Sequence, residues 1–184
     1  MDKIIKQVEE ALKKEKILFA SYAVTNKNNT VLYEHYGTQD LSRELPPTNK
    51  TRYRIASMSK AVTTLGALKL FDRGELKLDA LAKEYFPELG EVKVAKLEND
   101  KVTYEDLNSD ITIHQLLTHT SGFGYDFHDP VLSHLVLNEE ISSLTSKDGS
   151  QLNAPLVYQP GTRWEYGISP VSYTHLTLPT TEAV

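Results

Sequence analysis

Cysteine is absent from this 184-residue chain, which excludes disulfides, thiolate catalysis and cysteine-based zinc sites. Paired histidines are missing too. The six histidines show neither H-x-x-x-H nor H-x-H spacing, so no metal is expected. Positive charge is in short supply: a net charge of −5 disfavours a broad phosphate-binding face, and no nucleic-acid partner is expected. No apolar run is long enough to span a bilayer, so no membrane partner is expected. The opening MDKIIKQVEEALKKEK mixes charged and apolar residues where a secretory leader would have an unbroken apolar centre. With Met1 taken as the true start, the expected location is cytoplasmic.

What is present has an ordinary globular balance, 40% hydrophobic and 24% charged, with length enough for one substantial core. Ile4, Ile5, Val8 and Leu12 recur at helical spacing and predict an opening amphipathic helix. Residues 17–25 and 30–36 read as two strands around the polar turn Lys27-Asn28-Asn29, forming an antiparallel hairpin. Residues 38–52, with Pro46-Pro47, read as loop. From about Ser57 to Arg73 runs the longest helical candidate. Met58, Ala61, Val62, Leu65 and Leu68 form its apolar stripe, widened by Ala67, Leu70 and Phe71, a pattern that predicts a buried helix. Gly74 is its expected stop, and Asp79 is expected to cap a further helix through Tyr85 that Pro87 ends. A short hairpin over 91–104 turns at Glu98-Asn99-Asp100, and Thr112 is positioned to cap the helix IHQLLTH. Helix and loop are expected over 123–150, and Pro160-Gly161 marks a turn.

One pair of residues carries the chemistry. A serine hydroxyl is a weak nucleophile at neutral pH and needs a positioned base. In YRIASMSK, Ser57 and Lys60 are three apart, which on a helix places them on one face, one turn apart. Lys60 is the only charge between Ser57 and Leu68. An amine desolvated on an inward face favours its neutral form, which could accept the serine proton. The helix N-terminus adds free N–H groups and a positive dipole end. The spacing proves little by itself. Thirteen serines and fifteen lysines in this length give about one such pair by chance. The plain alternative is that Ser57 only caps the helix while Lys60 reaches out to water.

Three stretches supply the context: YRIASMSKAVTTLGALKLFDRGELKLD (53–79), ITIHQLLTHTSGFGYDF (111–127) and APLVYQPGTRWEYGIS (154–169). In type, order and separation they resemble the serine β-lactamase and penicillin-binding-protein superfamily, and more narrowly its esterase and acyltransferase branch. The first stretch contains that family's S-x-x-K motif. The resemblance implies an α+β fold, an antiparallel sheet packed with helices, of which this chain would hold the N-terminal portion. It also implies that Ser57 is the acylated nucleophile, Lys60 its base, and Tyr166 the tyrosine of the Y-x-N element, relaying a proton to or from the leaving group. Taken alone, Tyr166 would read as a packing residue beside Trp164. Ile168 stands where the motif has asparagine, so an amide that could hold a lactam or peptide is missing, which favours esters. The expected partner is a small-molecule ester or amide substrate, with no cofactor.

Rival readings are a β-lactamase or D-Ala-D-Ala peptidase of the same superfamily, and a non-catalytic relative that binds acyl ligands or a partner. His119 invites a Ser-His-Asp triad with Ser121 or Ser57. The chain has no G-x-S-x-G elbow, and His119 and Ser121 are expected to hydrogen-bond within the turn that ends their helix. Gly122 and Gly124 are expected to serve backbone geometry, and Trp164 to lie in the core in preference to a pocket wall.

The resemblance stops near Pro170. Residues 171–180, VSYTHLTLPT, resemble the translation of a transposon-derived sequencing adaptor. Residues 1–170 are therefore expected to be a partial hydrolase domain and 171–184 a non-native tail. In relatives a later strand donates a second backbone N–H to the oxyanion hole. Without it, the chain as written is expected to be inactive and aggregation-prone.

Overall fold

A computed structural model describes residues 2–39, 45–143 and 153–168, so the tail at 171–184 and the stretch 144–150 of the expected helix and loop lie outside the described residues. The chain divides into two units, Met1–Arg54 and Ile55–Val184. The first holds helix α1 (Asp2–Lys14) and an antiparallel hairpin of β1 (Phe19–Thr25) and β2 (Thr30–Gly37). Phe19 lies opposite Gly37 and Val24 opposite Leu32. The Asn26 side chain closes the turn by accepting from the N–H groups of Asn28 and Asn29, as turn asparagines commonly do. Helix and hairpin follow the expected pattern closely.

The second unit opens with α2 (Met58–Asp72). Its end is a Schellman motif: Gly74 takes a positive φ of 74°, and the Glu75 N–H returns to the Leu70 carbonyl at 2.9 Å. The expectation of a buried helix is overturned. Met58 and Val62 are each 66% exposed, with Leu65, Leu68 and Phe71 also in solvent, and the buried residues of α2 are Lys60 and Ala67. The apolar stripe is real, but within this unit only its Ala67 edge, with Leu70 packed beside it, meets the core.

The helix expected from Asp79 to Tyr85 is also corrected. Residues 80–82 are engaged in extended pairing instead, with Ala82 N–H on the Ile111 carbonyl and Ile113 N–H on the Ala80 carbonyl. Only a single 3-10 turn, Ala82–Glu84, fits before a second one that Pro87 starts rather than prevents, Pro87–Gly90. Strands β3 (Val94–Glu98) and β4 (Lys101–Glu105) form the second hairpin. Asn99 and Asp100 carry the paired positive φ angles, 51° and 58°, that a tight two-residue turn requires.

Thr112 caps α3 (Ile113–Leu117) through a complete capping box with Gln115. Asp129 caps α4 (Pro130–Leu137), accepting from the Val131 and Leu132 N–H groups, with Pro130 in the first turn. The core of this unit gathers Phe86, Val94, Ile111, Ile113, Leu116, Phe123, Leu132, Leu135, Leu156 and Ile168. The architecture is mixed α+β, with two separate two-stranded antiparallel sheets among the described residues. No described helix is long and apolar enough to cross a membrane.

Candidate active site

Ser57 sits at the N-cap of α2 in right-handed helical geometry, and its hydroxyl makes no capping hydrogen bond. That disposes of the reading in which it serves only as a cap. The residue before it, Ala56, holds φ at 44°, a left-handed conformation that costs a non-glycine residue about 1–2 kcal/mol. The backbone is thus turned sharply just ahead of the serine. One helical turn later, Lys60 is buried at 8% exposure rather than reaching to water. Its Nζ donates to Ser57 Oγ at 3.2 Å and to Tyr125 Oη at 2.8 Å. The same nitrogen lies 4.9 Å from the centre of the Tyr166 ring and 5.4 Å from that of Tyr125. Two phenols therefore flank one amine. Among the described residues Lys60 forms no ion pair.

Tyr166 stands at the same place. Its phenol is held below its ordinary value, first by hydrogen bonding with Ser57 and then by hydrogen bonding with Lys60 and that residue's charge; burial opposes the shift. Tyr166, remote in sequence from Ser57 and Lys60, is brought beside them.

Backbone approach delivers the tyrosine. The segment 154–168 is first tied to β3, through Ala95 N–H on the Leu156 carbonyl and Leu156 N–H on the Lys93 carbonyl. It then runs beside residues 119–124, with the Val157, Gly161 and Glu165 N–H groups on the carbonyls of Gly122, Thr120 and His119. Two glycines permit this contact. A Cβ on Gly122, whose φ is 106°, would collide with the Tyr158 carbonyl, and one on Gly167 with the Phe123 carbonyl. Gly122 thus serves backbone geometry as expected.

Tyr125 escaped the sequence reading. Its carbonyl accepts from the His128 and Asp129 N–H groups, its ring stacks on Phe127 at 4.7 Å, and its hydroxyl meets Lys60. The available signal was its place just past Gly122 and Gly124 inside the second matching stretch. Two further expectations need correction. Trp164 is 65% exposed, its indole edge-on to His119 at 6.3 Å between ring centres, so it is no core residue. His119 bonds within its turn as expected through its main-chain N–H on the Leu116 carbonyl at 3.3 Å, but its ring turns elsewhere. Its Nδ1 accepts from the Gly167 N–H at 3.2 Å, so that nitrogen already has a main-chain partner and is committed away from a triad with Ser57 or Ser121. Ile168, at the expected asparagine position, is buried in the core and offers no amide to the site.

Among the described residues no group of three or more His, Cys, Asp or Glu side chains could hold a metal ion. The arrangement offers a hydroxyl, an amine and two phenols within one hydrogen-bonded group, a set suited to moving a proton onto and off an oxygen nucleophile.

The Beta-lactamase family model matches residues 4–170. Esterase EstB of Burkholderia gladioli is 31% identical over 169 residues, covering 88% of this chain and 40% of that protein. Monacolin J acid methylbutanoyltransferase of Aspergillus terreus is 34% identical over 134 residues, covering 70% of this chain and 32% of the relative. In structure, unliganded simvastatin synthase (LovD) from Aspergillus terreus superposes with a TM-score of 0.76 at 29% identity, over 91% of this chain and 44% of that one. The chain spans less than half the length of each of these relatives. It belongs to the Beta-lactamase family, with an esterase and an acyltransferase among its relatives.

Proposed function

We propose that this chain is the N-terminal part of a serine hydrolase or acyltransferase that acts on small-molecule esters through a covalent acyl-Ser57 intermediate. The observation that carries the reading is the buried Lys60 amine shared between Ser57 Oγ and two phenol groups. In the proposed reaction a proton first moves from Lys60 Nζ to the Tyr166 phenolate oxygen, and Ser57 Oγ then attacks the ester carbonyl carbon while its own proton passes to Lys60 Nζ. The tetrahedral intermediate collapses as the ester C–O bond breaks. The departing alkoxide takes a proton relayed from Lys60 through the Tyr166 phenol, leaving acyl-Ser57 and a free alcohol. Water, an alcohol or an amine then attacks the acyl group, and the proton path runs in reverse. Ile168 in place of an amide, and relatives named an esterase and an acyltransferase, favour esters over lactams and peptides.

The reading extends to the limits of the chain. We take residues 1–170 as a partial domain, a boundary supported by the family match at 4–170, and 171–184 as non-native. A second oxyanion donor would then come from the later part of the parent, and its loss alone costs about 10²–10³ in rate. The 184-residue chain is therefore inactive in this proposal.

The test is to recover the uninterrupted gene and offer its product p-nitrophenyl esters and a chromogenic cephalosporin. Ester turnover abolished by Ser57→Ala, with the acyl group located on Ser57 by mass spectrometry, is the expected result. Cephalosporin turnover without ester turnover would transfer the reading to a β-lactamase. Failure of every acyl donor to label Ser57 would end it.

A further inference from the structure

We propose that His119 is a positioning residue that sets the Tyr166 phenol against Ser57 and Lys60, through two hydrogen bonds that bracket Tyr166 in the chain. The Glu165 N–H, immediately before Tyr166, donates to the His119 carbonyl at 3.0 Å. The Gly167 N–H, immediately after it, donates to His119 Nδ1 at 3.2 Å. The imidazole lies against the phenol, 4.7 Å between ring centres, and the Tyr158 hydroxyl adds a third bond to the His119 carbonyl at 3.1 Å. One residue thus fixes the main chain on both sides of Tyr166 and one face of its ring. The inference rests on the proposed role of Tyr166 in acyl transfer.

The backbone supplies a second, independent observation. α3 ends in a Schellman motif: the Thr120 N–H returns to the Gln115 carbonyl at 2.9 Å and the His119 N–H to the Leu116 carbonyl at 3.3 Å. His119 therefore occupies the left-handed position of that motif, at φ 57°, where glycine is usual. Glycine there would relieve the backbone but could not offer Nδ1 to Gly167. Lys16 after α1 and Glu139 after α4 end their helices in the same left-handed conformation, so it is the hold of the His119 ring on Gly167, and not the backbone angle alone, that points to function.

The device also has a sign in pH. Nδ1 accepts, so the neutral ring carries its proton on Nε2. Lys60 from α2 and the Tyr166 phenol face the ring, while Tyr158 and Glu165, the latter paired with Arg163, meet the His119 carbonyl. Burial first, and the Lys60 charge second, keep the ring neutral to lower pH than an ordinary histidine. Protonating Nδ1 would turn an acceptor into a donor facing another N–H, and the hold on Gly167 would be lost.

His119→Asn and His119→Gly form the decisive pair. Both residues tolerate the left-handed backbone, and both lack the imidazole ring. Asparagine Oδ1 stands where Nδ1 stood, and glycine offers nothing. In the uninterrupted parent, the glycine variant should lose about a hundredfold in the rate of Ser57 acylation by p-nitrophenyl acetate, and the asparagine variant should recover most of it. The wild type should show an acid limb in its pH–rate profile that the asparagine variant lacks, while the limb of Tyr166 is common to both. Tyr166 ionisation, read as the ultraviolet difference against each protein's Tyr166→Phe counterpart, should move up in the glycine variant and stay in place in the asparagine variant. Equal rates and equal Tyr166 ionisation in glycine variant and wild type would overturn the inference, as would equal impairment of both variants. If the wild type is not acylated at Ser57 the acyl-transfer reading fails, and the Tyr166 titration alone then decides whether His119 positions that phenol.

Discussion

At the scale of single residues, the site depends on what each polar group is allowed to touch. Lys60 was legible in the sequence because a lone charge one turn from a serine falls within the first of three stretches that resemble one family in order and separation. Tyr125 was not, because its contact with Lys60 closes over a sequence separation of 65 and no local pattern announces it. Trp164 misled for the reverse reason: a large aromatic suggests burial, yet the segment 154–168 is held by main-chain bonds and does not need the indole inside. The lowered phenol of Tyr166 has a direct consequence. The part of the parent's acylation rate that depends on the phenolate should rise with pH through a value below that of a free phenol, since the ionised form is the one favoured by Ser57 and Lys60. Tyr166→Phe should remove that limb and cost about 10²–10⁴ in rate, measured by pre-steady-state release of p-nitrophenol. A variant with an unchanged profile would show that the phenol takes no part.

At the scale of elements, agreement between sequence and structure follows local chemistry. The Lys27-Asn28-Asn29 turn, the Asn99-Asp100 turn, the Gly74 stop and the Thr112 cap each depend on residues within a few positions, and each was readable. The region from Asp79 to Pro87 was not, because pairing of residues 80–82 with 111–113 removes its backbone groups from any helix, and that partner is remote in sequence. The Thr112 box has a further role here. It starts the short helix whose last turn presents His119, so its loss should act on the site as well as on stability. Thr112→Ala should destabilise the second unit by about 1 kcal/mol in urea unfolding, and the Tyr166 titration should shift with it. A stability loss without any change at Tyr166 would show that the helix start and the site are energetically separate.

At the scale of the whole molecule, the two units differ in how much they bury. Among the described residues the second contains an extensive apolar cluster, whereas Leu32 is the buried hydrophobic residue of the first. A helix and a two-stranded hairpin with so little interior are marginal without further partners. The exposed stripe of α2 poses the same question. Met58, Val62 and Leu65 read as core in the sequence because an apolar stripe at helical spacing ordinarily faces an interior, and the chain spans less than half the length of its relatives. If later residues of the parent cover that stripe, Val62→Glu should act oppositely in the two proteins. It should reduce self-association of the 184-residue chain in sedimentation velocity and destabilise the parent by about 1.5–3 kcal/mol. Equal effects in both would mean that the stripe faces solvent in the parent as well.

The exposed Trp164 gives the site its own optical signal. It is the sole indole in the chain, it lies two positions before Tyr166, and its ring edge meets the imidazole of His119. Emission excited in the tryptophan band therefore arises from this one stretch of polypeptide, with no background from elsewhere. A charged imidazolium quenches a neighbouring indole more strongly than a neutral imidazole does. Dimming on acidification would accordingly report the state of the histidine beside the reacting groups in an unlabelled protein.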